Sequence, residues 1–141
     1  MISLIVGVKG TGKTKTLLDI VHDALKNTDG NIVCIEKGKK MGAHGVMRHE
    51  VRMIDVEDYS ISSSGSLYGL VCGLYANNFD ITHIFIASAL KICSLNIEDF
   101  TKFVLMAEKF ATKNGVKVIM TVTLDKAALP ENLHGFLVGE N

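Results

Sequence analysis

Short apolar runs alternate along the chain with longer segments that repeat at helical spacing. Five β-branched, apolar runs predict buried strands, over residues 2–6, 31–36, 51–56, 83–87 and 116–122. Three other segments predict helices, over residues 13–27, over residues 66–77 and from the capping residue Asn96 to the stop at Asn114 and Gly115. Residues 136–138 predict a last edge strand.

Strands that alternate with helices are typical of an α/β domain built on a parallel sheet. We therefore expect three layers, α/β/α, with a mainly parallel sheet of about five or six strands. The chain has 141 residues, the usual size of one domain. A single domain over residues 1–141 follows.

Composition and charge limit the classes of partner that we expect this protein to bind. Hydrophobic residues make up 48% and charged residues 21%, which is typical of a globular chain. Lys+Arg and Asp+Glu both number 15, so the formal net charge is 0. A neutral chain has no overall field that attracts DNA or an anionic membrane. We do not expect a nucleic-acid partner.

No segment approaches the length that spans a membrane, and the apolar run at residues 2–8 is too short for a signal peptide. The cysteines are Cys34, Cys72 and Cys93, far apart and without metal-ligand spacing. Three reduced thiols are typical of a cytosolic protein, so we expect a cytoplasmic location.

Residues 7–14, the glycine loop, match the pattern Gly-x-x-x-x-Gly-Lys-Thr. Gly7, Gly10 and Gly12 permit positive φ angles and leave room for phosphate oxygens. The loop follows a predicted strand and opens an amphipathic helix, whose first amides carry partial positive charge. The sequence therefore predicts a P-loop nucleotide-binding domain.

Two side chains of the glycine loop have predicted roles of their own. Lys13 reaches the β- and γ-phosphates, and the Thr14 hydroxyl ligates Mg²⁺. Lys9 and Lys15 either add positive field or are surface charges. The predicted ligands are ATP and Mg²⁺, and the predicted binding residues are Gly7, Lys9, Gly10, Thr11, Gly12, Lys13, Thr14 and Lys15.

The acid that hydrolysis usually needs is missing from its expected place. A carboxylate at the end of a buried strand commonly holds magnesium or polarises water, but Ala87 and Ser88 end the fourth predicted strand. The Ser88 hydroxyl could hold a metal-bound water more weakly. Glu36 and Asp55 end the second and third strands and are the candidate catalytic acids at this edge. The alternative is that they are surface acids, with Glu36 beside the lysines that follow it.

Three stretches resemble the RecA-like branch of P-loop ATPases, and more narrowly the pilus-retraction and type II secretion ATPases. They are residues 31–36 with a terminal glutamate, residues 80–88, and residues 117–128. Ser88 replaces that family's glutamate, and Asp125 stands where the family has a histidine. The resemblance implies the fold and nucleotide binding. It does not extend to motor activity, because the family's arginine-bearing and N-terminal regions are missing.

Arginines are scarce, whereas nucleotide kinases commonly clamp phosphates with several of them. The two arginines are Arg48 and Arg52. Arg48 lies with His44 and His49 in a basic loop at residues 37–50, which either contacts a phosphate, a nucleic acid or a partner or is simply solvated. No Asn-Lys-x-Asp motif for guanine is visible, so adenine is the expected base.

Three functions remain open from the sequence. The first is ATP binding with slow or lost hydrolysis. The second is an active ATPase or small-molecule phosphotransferase that uses Glu36 or Asp55, with Lys13 in the catalytic site. The third is a non-enzymatic assembly module, in which the nucleotide sets the binding state of a homo-oligomer or another protein partner.

Overall fold

Five parallel strands form the centre of the molecule. The computed structural model describes residues 1–41 and 51–139, so Arg48 and both histidines of the basic loop lie outside the described residues. The strands are Ile2–Gly7 (β1), Asn31–Glu36 (β2), Val51–Asp55 (β3), Ile81–Ile86 (β4) and Lys117–Thr123 (β5). Their order across the sheet is β1-β5-β4-β2-β3, and every pairing is parallel. The predicted α/β fold is confirmed, with five strands in the described part of the chain.

Helices cover both faces of this sheet. They are Lys13–Asn27 (α1), Ser64–Asn77 (α2), Ala89–Ile92 (α3) and Ile97–Asn114 (α4). Leu17 and Val21 of α1 pack with Phe85 in one core cluster. The other three helices pack with Ile84 and its neighbours in a second cluster. The result is the predicted three-layer arrangement. None of the helices in the described ranges has both the length and the apolar character to cross a bilayer.

Most of the strands have largely apolar sequences because they are buried on two sides. Successive side chains of a strand point to opposite faces. Ile84 and Phe85 of β4 accordingly enter different clusters, and both are fully buried. A parallel sheet between helix layers requires this pattern.

Several boundaries differ from the prediction. α2 begins at Ser64 rather than at residue 66, because Ser63 and Ser66 form a reciprocal capping box at its start. The one-turn helix α3 and the 3₁₀ turn at Val56–Tyr59 were not predicted.

The predicted edge strand at residues 136–138 is wrong. The chain there leaves a 3₁₀ turn, Glu131–Phe136, and touches β1 by one bridge between Leu4 and Leu137. The Val138 amide donates to the Leu4 carbonyl at 2.9 Å. This single bridge covers part of the free edge of β1, but it does not amount to a sixth strand.

Candidate functional site

The glycine loop joins β1 to α1 through two left-handed residues. Gly10 has φ +85° and Gly12 has φ +81°, which a residue with a side chain rarely adopts. Gly12 is the N-cap of α1, and no side chain caps the helix there. The first amides of α1 therefore face out of the loop without a side-chain acceptor, as an anion site requires.

Gly7 is required for a different reason from the predicted one. Its φ is not positive. A Cβ at this position would come within 2.5 Å of Thr11 Oγ1. That hydroxyl donates to the Val8 carbonyl at 2.7 Å and closes the loop on itself. The glycine thus provides space for Thr11 rather than an unusual backbone angle.

The two lysines of α1's first turn have different surroundings. Lys13 Nζ donates to the Val8 carbonyl at 2.9 Å, so its ammonium group lies over the glycine loop. Lys15 Nζ lies 3.1 Å from Asp19 Oδ2, one turn further along α1, and its side chain is 83% exposed. Lys15 is therefore a solvent-facing residue of α1, whereas Lys13 belongs to the loop.

A cavity of about 600 Å³ opens beside the glycine loop at the carboxyl end of the sheet. Loop residues line one side of it, strand ends line the floor, and residues after β2 and around α3 complete it. The described lining is Lys9, Gly10, Gly12, Lys13, Thr14, Lys40, Ser88, Leu90, Lys91, Leu95, Thr121 and Thr123. This lining contains four lysines and no carboxylate, so the cavity favours an anion.

The strand ends β4 and β5 are tied together at the cavity floor. Ser88 follows β4 in a left-handed conformation, with φ 57° and ψ 50°. Its amide donates to Thr121 Oγ1 at 2.8 Å. Ser88 and Thr14, the two predicted metal ligands, thus line the same cavity. No group of three His, Cys, Asp or Glu side chains in residues 1–41 and 51–139 is arranged to hold a metal.

Glu36 does not line the cavity. It is buried at the end of β2, with 5% of its surface exposed. Its Oε1 accepts hydrogen bonds from the amides of Lys40 and Met41, both at 2.9 Å. The carboxylate therefore closes the turn that follows β2.

Asp55 makes a similar set of contacts at the end of β3. Its Oδ1 accepts from the Gly38 amide at 2.9 Å and from the Glu57 amide at 3.0 Å. These two hydrogen bonds hold the pKa of Asp55 below its usual value, and the nearby Lys39 contributes in the same direction. Asp55 is not among the described residues of the cavity lining. Catalysis by Glu36 or Asp55 stays a prediction.

Six lining residues were not singled out from the sequence as site residues: Lys40, Leu90, Lys91, Leu95, Thr121 and Thr123. A signal was present for the two threonines, since residues two apart on a strand share a face and these lie near the carboxyl end of β5. The lysines carried no local pattern that distinguishes a cavity lysine from a surface lysine.

A second cavity, of about 470 Å³, lies against the glycine loop. Val8, Thr11, Lys13 and Asp125 are among its lining residues. Asp125 Oδ1 accepts from the Ala127 amide at 3.0 Å. Lys13 lines both cavities, so the loop separates two concave surfaces.

No protein-family model and no curated protein matches this chain. Function is therefore inferred from the glycine loop, the cavity and their charges.

Proposed function

We propose that this protein binds Mg²⁺-ATP at the glycine loop and hydrolyses it slowly or not at all. The supporting observation is a cavity in which Lys9, Lys13 and Thr14 of the loop meet two further lysines, Lys40 and Lys91, and no described carboxylate. Such a surface suits a polyphosphate, because positive groups around a concave site concentrate the field on an anion.

Each part of the loop has a role in this proposal. The uncapped amides at the start of α1 hydrogen-bond phosphate oxygens. Lys13 exchanges its contact with the Val8 carbonyl for phosphate oxygens, which form stronger, charge-assisted hydrogen bonds. The second cavity leaves room for the nucleoside on the same loop.

The donor set fits a magnesium ion carried in by the nucleotide. Magnesium prefers oxygen ligands and usually binds through few protein groups together with substrate phosphates. Thr14 and Ser88 supply hydroxyl oxygens beside the loop. When bound, the ion would neutralise phosphate charge.

Slow or lost hydrolysis follows from the absence of a base among the described lining residues. A serine such as Ser88 does not accept a proton from water near pH 7. The nearest strand-end acids are Glu36 and Asp55, and each has an oxygen that accepts two backbone amides. Adenine remains the proposed base because no guanine motif is present. A cytoplasmic location is proposed because all three cysteines are free thiols.

Calorimetric titration with Mg²⁺-ATP and with a non-hydrolysable analogue tests the proposal. We expect saturable binding of both by the wild type. Lys13→Ala should weaken binding at least about tenfold, because it removes a charge-assisted hydrogen bond. Lys26→Ala is the matched control, since it removes the same charge from the exposed last turn of α1.

Absence of saturable binding by the wild type would overturn the proposal, as would equal binding by Lys13→Ala. Phosphate release, measured on the same samples, tests the active-enzyme alternative. A turnover that Glu36→Gln or Asp55→Asn lowers would favour an ATPase or phosphotransferase.

A further inference from the structure

Lys40 lines the large cavity on the side opposite the glycine loop. It follows β2, whereas the loop follows β1, and β5 and β4 lie between these strands. Three strand spacings of about 4.8 Å separate the two strand ends by about 14 Å. Lys13 and Lys40 nevertheless line the same cavity. Positive charge therefore approaches the cavity from both sides.

The turn that carries Lys40 is held by both strand-end acids. Glu36 accepts the amides of Lys40 and Met41, and Asp55 accepts the amide of Gly38. Met41 is 2% exposed and packs in the core cluster beneath α1. These contacts fix the backbone at Lys40 relative to the sheet.

Lys39 and Lys40 are adjacent but have different environments. Lys39 Nζ lies 3.7 Å from Asp55 Oδ2 and 3.6 Å from Asp58 Oδ2. The ammonium of Lys40 forms no ion pair with any residue of the described ranges, and its side chain lines the cavity. Of the two, Lys40 is the one available to an anion in the cavity.

Resting on the proposed function, we propose that Lys40 binds the terminal phosphate of ATP and that Glu36 is a positioning residue for Lys40. A chain of phosphates that begins at the amides of α1 extends across the strand ends towards the wall that carries Lys40. Lys40 therefore meets the end of a triphosphate, and a diphosphate falls short of it. Glu36 acts through the backbone of the turn rather than on water.

Calorimetric affinities for Mg²⁺-ATP and Mg²⁺-ADP test the role of Lys40. Lys40→Ala should weaken ATP binding about ten- to a hundredfold and leave ADP binding within about twofold. Lys39→Ala is the matched control, because it removes the adjacent charge from outside the cavity, and both affinities should stay unchanged. Equal losses for the two nucleotides in Lys40→Ala, or no loss, would overturn the inference.

Two substitutions at Glu36 test positioning. Glu36→Gln keeps an acceptor oxygen for the amides of Lys40 and Met41, so it should retain the preference for ATP over ADP. Glu36→Ala removes the acceptor and should lose that preference, with no further loss when combined with Lys40→Ala. A loss of preference in Glu36→Gln would overturn positioning through the hydrogen bonds. If Glu36→Ala does not fold, Glu36→Gln and Lys40→Ala still decide the outcome.

The two proposals fail in different ways. If the wild type binds neither nucleotide, the proposed function is wrong. If binding depends on Lys13 but the ratio of ATP affinity to ADP affinity is the same in Lys40→Ala as in the wild type, only the inference about Lys40 is wrong.

Discussion

Asp99 connects the start of α2 to α4 through two short hydrogen bonds. Its Oδ1 accepts from the Ser64 hydroxyl at 2.6 Å, and its Oδ2 accepts from the Ser64 amide at 2.7 Å. Both bonds favour the ionised carboxylate, so they hold the pKa of Asp99 below its ordinary value, with the hydroxyl the larger cause. The free energy of unfolding therefore depends on pH through the ionisation of Asp99.

We predict that the stabilisation by Asp99 is present above about pH 4 and is lost as the pH falls further. A depressed pKa means that the unfolded chain binds the proton first, so acid lowers the free energy of unfolding. Asp99→Asn should be less stable than the wild type at pH 7, and the difference should shrink below about pH 4. Urea midpoints between pH 7 and pH 3 measure it.

Asp29→Asn is the matched control for this prediction, because it removes one carboxylate at an exposed position after α1. A constant difference between wild type and Asp99→Asn across the whole pH range would contradict the assignment.

Single residues also show where prediction from the sequence ends. The strand pattern correctly placed Glu36 and Asp55 at the carboxyl end of the sheet, because that placement needs only the apolar period and parallel pairing. Their partners include amides of the turn after β2, whose path ends at the buried Met41. No local pattern specifies that path, so Lys40 remained one basic residue among several.

The N-terminus of α2 depends on a cap formed by two serines. Ser63 Oγ accepts from the Ser66 amide at 3.2 Å, and Ser66 Oγ accepts from the Ser63 amide at 3.1 Å. We predict that Ser63→Ala lowers the free energy of unfolding by about 1 kcal/mol, because an amide of the first turn loses its acceptor. Urea denaturation measures the change.

Ser62→Ala is the matched control for the cap. Ser62 contributes its amide and carbonyl to neighbouring hydrogen bonds, and an alanine keeps both groups. A change of the same size in both variants would show that the capping box is not what stabilises the start of α2.

The strands and the longer helices were predicted, and the one-turn helix α3 was missed, for a physical reason. α4 has six buried residues at helical spacing, and β1, β2, β4 and β5 have buried residues on both faces, so their patterns repeat enough to be recognised. α3 has four residues, one turn, which is too short for a period. Its boundaries depend on Ser88 and on the left-handed residues Ser94 and Leu95, which hydrophobic spacing does not reveal. The places of Lys91 and Leu95 in the cavity lining are therefore visible in the structure and were not predictable from the sequence.

At the scale of the whole molecule, ligand binding and folding are linked. A ligand that binds only the folded state adds about 2.7 kcal/mol of stability at a hundred times its Kd. For a chain of this length we predict a rise in Tm on the order of 10 °C with Mg²⁺-ATP. Lys13→Ala should show little of this rise, and differential scanning calorimetry measures both.

The same samples can be used to test the alternative that the protein is a nucleotide-dependent assembly module. A mass in light scattering that stays at 15.3 kDa, the mass of one chain, with and without nucleotide would count against nucleotide-driven self-assembly. A larger mass that appears only with Mg²⁺-ATP would favour a nucleotide-dependent assembly module.

The pairing of β1 with β5 also decides when the glycine loop can form during synthesis. Ile2 is opposite Val118, and the Leu124 amide donates to the Gly7 carbonyl at 3.0 Å. Ribosomes add about 5–20 residues per second, so β1 waits on the order of ten seconds for its partner strand. Contacts this distant in sequence also slow folding itself. The nascent chain therefore contains the glycine-loop residues early, but the cavity beside them forms only after β5, the last of the five described strands, has been translated.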